Sequence, residues 1–226
     1  MADSINSSPV PRERDLLGQA VVVIGGSSGI GLETARLARA RGAEVVLTAR
    51  DPDRVHRAGL ELGASIAAFD ATDFGRLGRF FDALPAPVDH LLLTGPGPCY
   101  ARLEGFDPDA ARRDLDARLL LPLQIAHHAS GTVRPGGTLL FLGGVGRRGT
   151  AAGLAFAAAL TAALAAMTKS LALQLAPVRV NLIAAGLAGP PSPACIAALA
   201  IHLMTNTAIT GATIDIDGVH PGPVPG

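Results

Sequence analysis

The chain has 226 residues, 49% of them apolar, which suits one large α/β domain with its own core. Nineteen basic and nineteen acidic side chains cancel, leaving no basic surplus of the kind that phosphate backbones or anionic membranes attract, so no nucleic-acid partner is expected. Two cysteines, Cys99 and Cys195, are too few and too far apart for a disulfide framework or a zinc site and fit a reducing cytoplasm.

Residues 1–15 are polar and proline-bearing and read as a flexible arm ahead of a single domain over 16–226. The first strand is expected at Ala20 to Gly25, followed at once by Gly25-Gly26-Ser27-Ser28-Gly29-Ile30-Gly31 and a helix over Gly29 to Arg41. Glycines in a strand-to-helix turn let the backbone approach a pyrophosphate. The free amides and positive dipole of the helix N-terminus then hold the anion. Gly25, Ser27, Ser28, Gly29, Ile30 and Gly31 are therefore candidate binders of a dinucleotide.

The second strand, Glu44 to Thr48, runs into Ala49 and Arg50, with no acidic side chain to accept from ribose hydroxyls. Arg50 offers a planar fork of donors to a 2′-phosphate, which favours NADP (NADPH) over NAD; the plainer alternative is a solvated arginine beside Asp51. A helix over Pro52 to Leu62 and a third strand over Ser65 to Phe69 follow. Asp70, with Ala71 beside it, is placed to accept from an adenine amino group. Alternatively it, Thr72 or Asp73 caps the next helix, Asp73 to Ala83.

The fourth strand, His90 to Thr94, ends in the tight turn Gly95-Pro96-Gly97, a third candidate contact, this time for a ribose. Beyond it come a helix over Pro108 to Ser130, a strand over Gly137 to Leu142, a helix over Ala151 to Ala176, a strand over Val178 to Ile183, a helix over Pro193 to Thr205 and a last strand over Thr213 to Ile216. Thr150 to Thr168 runs nineteen residues without a charge, about a membrane span, but it is mostly alanine, has no aromatic anchors and continues into Lys169. A buried helix is expected, with no membrane. Strands alternating with helices predict a Rossmann-type α/β fold: a doubly wound seven-stranded parallel sheet in three αβα layers, with ligands outside the carboxyl ends of the strands.

These residues resemble the short-chain dehydrogenase/reductase family from Gly18 to Gly218. Ile24 to Gly31 is similar to its TGxxxGxG, Asp70-Ala71-Thr72-Asp73 to its acidic turn, Ser170 to Asn181 to its long helix and sixth strand, and Thr210-Gly211 with Asp215-Ile216-Asp217-Gly218 to its C-terminal strand. The resemblance implies catalysis by a serine, a tyrosine and lysine spaced YxxxK, and a helix asparagine. Tyr100 is the single tyrosine and Lys169 the single lysine, so no YxxxK exists. Registered on Thr168 to Ala172, the tyrosine position falls on Ala157, the lysine on Thr161, the serine on Gly144 and the asparagine on Arg118. The family's proline-glycine turn reads Ala185-Gly186. Its substrate cover is shortened near 187–195 to little more than Pro190-Pro191-Ser192-Pro193.

Alanine, glycine and threonine cannot protonate the oxyanion left by hydride addition. Tyr100 is either a substitute acid or a packed loop residue. Arg118 either holds an anionic ligand, fills the missing lysine's space or turns to solvent beside Asp114 or Asp116. His127 and His128 read as surface or interface residues, and Cys99 lacks a histidine partner. Two functions stand: an NADP-dependent oxidoreductase with unusual or substrate-assisted proton transfer, and a degenerate member that binds dinucleotide or a partner subunit. The resemblance implies a homo-oligomer, dimer or tetramer, paired through the two long helices, or a mixed oligomer with an active relative.

Overall fold

The computed structural model describes residues 15–85, 87–95, 103–143, 155–185 and 192–216. Seven strands form one sheet: β1 Ala20–Ile24, β2 Glu44–Ala49, β3 Ser65–Ala68, β4 Val88–Leu93, β5 Val133–Gly143, β6 Arg179–Ala185 and β7 Thr213–Ile216. Their order is β3-β2-β1-β4-β5-β6-β7, and every pair is parallel. The expected doubly wound sheet is thus present. The chain leaves β1 toward one edge and returns to β4 on the other side, so the crevice of such a fold opens at the carboxyl ends of β1 and β4.

Helices cover both faces: α1 Gly29–Ala40, α2 Pro52–Leu62, α3 Phe74–Asp82, α4 Pro108–Leu115, α5 Leu121–Thr132, α6 Ala155–Gln174 and α7 Pro193–Thr205. Alternation along β1 serves both layers. Val21 and Val23 join Leu92, Leu140 and Ile183 under α1, α2 and α7; Val22 and Ile24 join Leu91, Leu139 and Leu182 against α3, α5 and α6. A strand buried on both faces must be continuously apolar, which is why β1 reads Ala-Val-Val-Val-Ile.

Boundaries differ from the sequence reading where polar or turn-forming residues lie inside strands. β4 begins at Val88, before the Asp89-His90 pair, and β5 begins at Val133, ahead of Pro135-Gly136-Gly137, because Val88 pairs with Val133. The expected Pro108 to Ser130 helix is interrupted by a π-helical turn at Asp116–Leu120. A 3-10 turn, Leu103–Gly105, precedes it. α6 is long and apolar enough to span a bilayer, yet Leu160, Leu164, Thr168 and Leu171 close the core over the sheet. Its other face, Ala159, Ala162, Ala163, Ala166 and Leu173, is exposed, Leu173 by 83%.

The amino-terminal end of the sheet holds several buried polar groups, Asp89, His90 and Arg179 among them. Ala20 N donates to Asp89 Oδ2 at 2.7 Å, Arg134 pairs with the other Asp89 oxygen, and His90 Nε2 lies 2.7 Å from Gln19 Oε1. Arg179, 6% exposed, donates to the carbonyls of Leu203 and Met204 at 2.7 Å and of Asn206 at 2.8 Å, and to Thr138 Oγ1. It thereby satisfies carbonyls at the end of α7 that no helical amide can reach.

Candidate dinucleotide site

At the carboxyl end of β1 the amides of Gly25 and Gly26 both donate to Thr48 O, at 2.9 and 3.0 Å, so the turn is tied to β2. Thr94, after β4, donates its hydroxyl to Gly25 O at 3.0 Å. A Cβ on Gly25 would collide with Thr94, and its φ of +91° is one that side-chain-bearing residues avoid. On Gly31 a Cβ would overlap Gly25 O and sit 3.0 Å from Thr94 Oγ1, so glycine lets α1 lie directly against the turn.

Ser28 is the N-cap of α1 and is fully extended, but its hydroxyl makes no capping bond, and the first turn of α1 carries no acidic residue. By contrast α2, α3, α4 and α7 are capped by the side chains of Asp51, Asp73, Asp107 and Ser192. The amides of α1 therefore lack the internal acceptor that those helices have. Gly29, φ +53°, has nothing within 4 Å of a built Cβ. An uncapped helix start, open space above Gly29 and a free serine hydroxyl fit the pyrophosphate of a dinucleotide.

Beside this turn lies a groove of about 380 Å³ lined by Ser27, Ser28, Leu32, Arg54, Arg57, Ala58 and Glu61. Glu61 is held by Arg36 of α1 through two bonds, 2.7 and 3.1 Å, and Arg36 also reaches Glu33 at 3.2 Å. The sequence reading missed Arg54 and Arg57. Their spacing of three residues on a helix opened by Asp51-Pro52 signals a shared face, but nothing local to α2 says that the face meets the glycine turn.

Arg50 is exposed at the end of β2, outside that groove lining. Asp70 bonds Thr72, through its amide at 3.0 Å and its hydroxyl at 2.8 Å. Partial burial pushes the Asp70 carboxyl up, but those two bonds and the charge of Arg50 outweigh it and hold the carboxyl below its usual value. The cap of α3 is Asp73, which accepts from Arg76 N at 3.0 Å. Ala71 is half-buried beside Asp70, and Gly95 is exposed just beyond Thr94.

Of the residues registered on the family's catalytic positions, Ala157 is 2% exposed and Thr161 turns its hydroxyl back to Ala157 O at 2.8 Å. Arg118 sits inside the π-helical turn, its side chain 11% exposed and 3.9 Å from Asp114, so it lies beside Asp114 without turning out to solvent. His127 is exposed, whereas His128 is half-buried and stacks on Phe81 at 4.7 Å; burial foremost, then the neighbouring His127, lowers its pKa against the opposing pull of Asp82. Residues 1–14, Pro96, Gly97, Cys99, Tyr100, Gly144, Gly186, the shortened cover at 187–191, Asp217 and Gly218 lie outside the described residues.

A parallel doubly wound sheet with a glycine turn opening onto an uncapped helix defines a dinucleotide-fold protein. The family described as enoyl-(acyl carrier protein) reductase matches residues 24–192, and the chain belongs to this branch of the short-chain dehydrogenase/reductase family of oxidoreductases. It is similar to the short-chain dehydrogenase/reductase ATR9 of Stachybotrys chlorohalonatus, 28% identical over 89% of this chain and 96% of that one. Among solved structures, BdcA in complex with NADPH aligns over 90% of this chain and 95% of its own, with TM-score 0.82 and 24% identity. A short-chain dehydrogenase from Burkholderia cenocepacia in complex with NADP aligns over 90% and 98%, with TM-score 0.82 and 22% identity.

Proposed function

We propose that the protein is an NADP(H)-dependent oxidoreductase acting on a carbonyl or alcohol substrate. The observation that carries this reading is the N-terminus of α1, left without a cap or a carboxylate behind a glycine turn that only glycines can make. Gly25 and Gly31 bring strand and helix together, Ser27, Ser28, Gly29, Ile30 and Gly31 hold the pyrophosphate, and Asp70, Ala71 and Gly95 with Pro96 and Gly97 border the adenosine and ribose. The NADPH and NADP held in the two structural neighbours agree with this. Arg50 replaces the acid that would accept from an NAD ribose, which turns the preference toward NADP.

When bound, the dinucleotide supplies hydride transfer at its nicotinamide. The chain's own contribution there is positional, since Ala157 has no proton to give and the Thr161 hydroxyl is committed to the helix backbone. The proton for the substrate oxygen then comes from the substrate itself, from water or from Tyr100. These same two residues, and a single tyrosine and lysine that cannot form YxxxK, favour a second reading, a degenerate member that binds dinucleotide for regulation or assembly.

Calorimetric titration with NADPH and NADH tests the cofactor site. Micromolar NADPH binding, weaker NADH binding and loss of both in Gly29→Asp are expected, and binding of neither by the unaltered chain overturns the reading. NADPH binding without turnover of any carbonyl in a broad panel selects the second function. The exposed apolar face of α6, with Leu115, Leu120 and Leu123 of the α4–α5 unit, is the surface through which we infer a dimer or tetramer, readable by light scattering.

A further inference from the structure

One stripe of the α4–α5 unit faces the core: Ala129, Ile125 and Leu121 are buried along it, at the spacing of one helix side. Continued toward the start of α4, the same stripe meets Arg118 and then Asp114, whose side chains are only 11% and 18% exposed. The stripe thus turns from apolar to charged while still facing inward. Arg118 lies in the π-helical turn, where Leu121 N donates to Asp116 O five residues back, and this turn packs on α6. Because α4 and α6 each follow a parallel strand, both begin at the carboxyl end of the sheet. Phe106, just ahead of α4, meets Phe156 in the first turn of α6 with ring centroids 6.4 Å apart, so the two starts lie level. A helical side chain leans toward its own N-terminus, which carries the Arg118 guanidinium to the level of Asp114, about 9 Å along α4 at roughly 1.5 Å per residue. The residue at that level on α6 is Thr161, one turn beyond Leu164, which reaches Gly143 at the end of β5. The cation is therefore set past the carboxyl end of β5, on the side where a doubly wound sheet takes its ligands.

Resting on the oxidoreductase reading, we propose that Arg118 is the anion anchor of the substrate pocket, and that the substrate is a carbonyl or alcohol compound with an apolar or aromatic body and a carboxylate. A leucine or methionine would fill a core-facing position without the desolvation that a guanidinium there must bear. Arg118 stays charged at every working pH, and its planar fork of donors matches the two oxygens of a carboxylate. The contact with Asp114, 3.9 Å from Nε, is electrostatic and longer than a hydrogen bond. It compensates the cation and competes with an incoming carboxylate. Across from it, Ala157 brings only a methyl, and the Thr161 hydroxyl is turned back to Ala157 O, so neither competes for the anion. At the mouth, Phe106, 51% exposed and edge-on to Phe156, offers a ring wall to the apolar body. A neutral substrate of the same shape gains nothing from Arg118.

The test uses the full chain with NADPH and two probes of one shape, benzoate and benzamide, titrated by ligand-observed NMR into the unaltered protein, Arg118→Gln and Asp114→Asn. Melting curves report whether each variant is folded. The unaltered chain is expected to bind benzoate about tenfold or more tightly than benzamide. Arg118→Gln is expected to bring the two probes to within about twofold of each other. Asp114→Asn, which removes the competing carboxylate, is expected to strengthen benzoate binding about threefold or more and to leave benzamide unchanged. A purely structural ion pair predicts the opposite for Asp114→Asn: lower stability and no gain for benzoate. Equal or absent binding of the two probes by the unaltered chain overturns the proposal and, where NADPH binds, leaves the oxidoreductase reading standing. So does a folded Arg118→Gln that keeps the preference, or a folded Asp114→Asn without the gain. Failure of the unaltered chain to bind NADPH overturns that reading, and this proposal with it.

Discussion

His90 makes the stability of the fold depend on mild acid. Its ring is 3% exposed, with Nε2 donating to Gln19 Oε1 and Nδ1 buried without a partner. Burial first, then the positive charges of Arg179 and Arg134, pull its pKa from the ordinary 6.5 to about 3. The unfolded chain takes up a proton near pH 6.5 while the folded chain does not until about pH 3. Stability is therefore fully present above about 6.5 and falls as pH drops through that window. Between pH 7.5 and pH 5 one such group costs about 2 kcal/mol, from roughly 1.4 kcal/mol per pH unit below 6.5. For a chain of this size that is a fall of about 4–8 °C in melting temperature. Thermal unfolding followed by circular dichroism at the two pH values, on the unaltered chain and on His90→Gln, isolates the effect from the other histidines. The variant is expected to be less stable at pH 7.5 but to lose about 2 kcal/mol less on acidification. An equal acid-induced loss in the two proteins refutes the argument.

Three other outcomes follow from single contacts. Gly31→Ala drives a methyl into the backbone of Gly25, which cannot yield as a side-chain tip can, so a loss of about 1–3 kcal/mol and roughly 3–10 °C is expected in ligand-free melting curves. Arg179→Met leaves the carbonyls of Leu203, Met204 and Asn206 buried without donors, and chemical denaturation should show a loss of about 3 kcal/mol or more. Thr161→Val removes a hydroxyl that bonds only its own helix, so NADPH affinity by calorimetry should stay within about twofold and stability within about 1 kcal/mol.

Much of this was legible from local pattern. The glycine turn announces itself because its chemistry is confined to seven consecutive residues, and the strands do because burial on both faces forces unbroken apolar runs. What stayed hidden depends on partners distant in sequence. Asp89 looks like the residue before a strand, yet it lies inside β4, and the partners of Asp89 and of His90 Nε2, Ala20 and Gln19, are some seventy residues away. The π-helical turn at Asp116–Leu120 leaves no trace, since its leucines suit an unbroken helix equally well. Arg54 and Arg57 read as an ordinary solvated helix face until α2 is packed beside Ser27 and Ser28.

The bond pair from Arg36 to Glu61 ties α1 to α2 across the groove, one helix from each wall. The slot is thereby biased toward one width before a nucleotide arrives, which trims the conformational entropy lost on closing it. Such a clamp is exposed and individually weak, so salt loosens it. Ionic strength consequently acts on nucleotide affinity twice: once by screening the phosphates from the arginines, and again by letting the entrance breathe, so that affinity should fall with salt more steeply than the count of phosphate contacts alone would give.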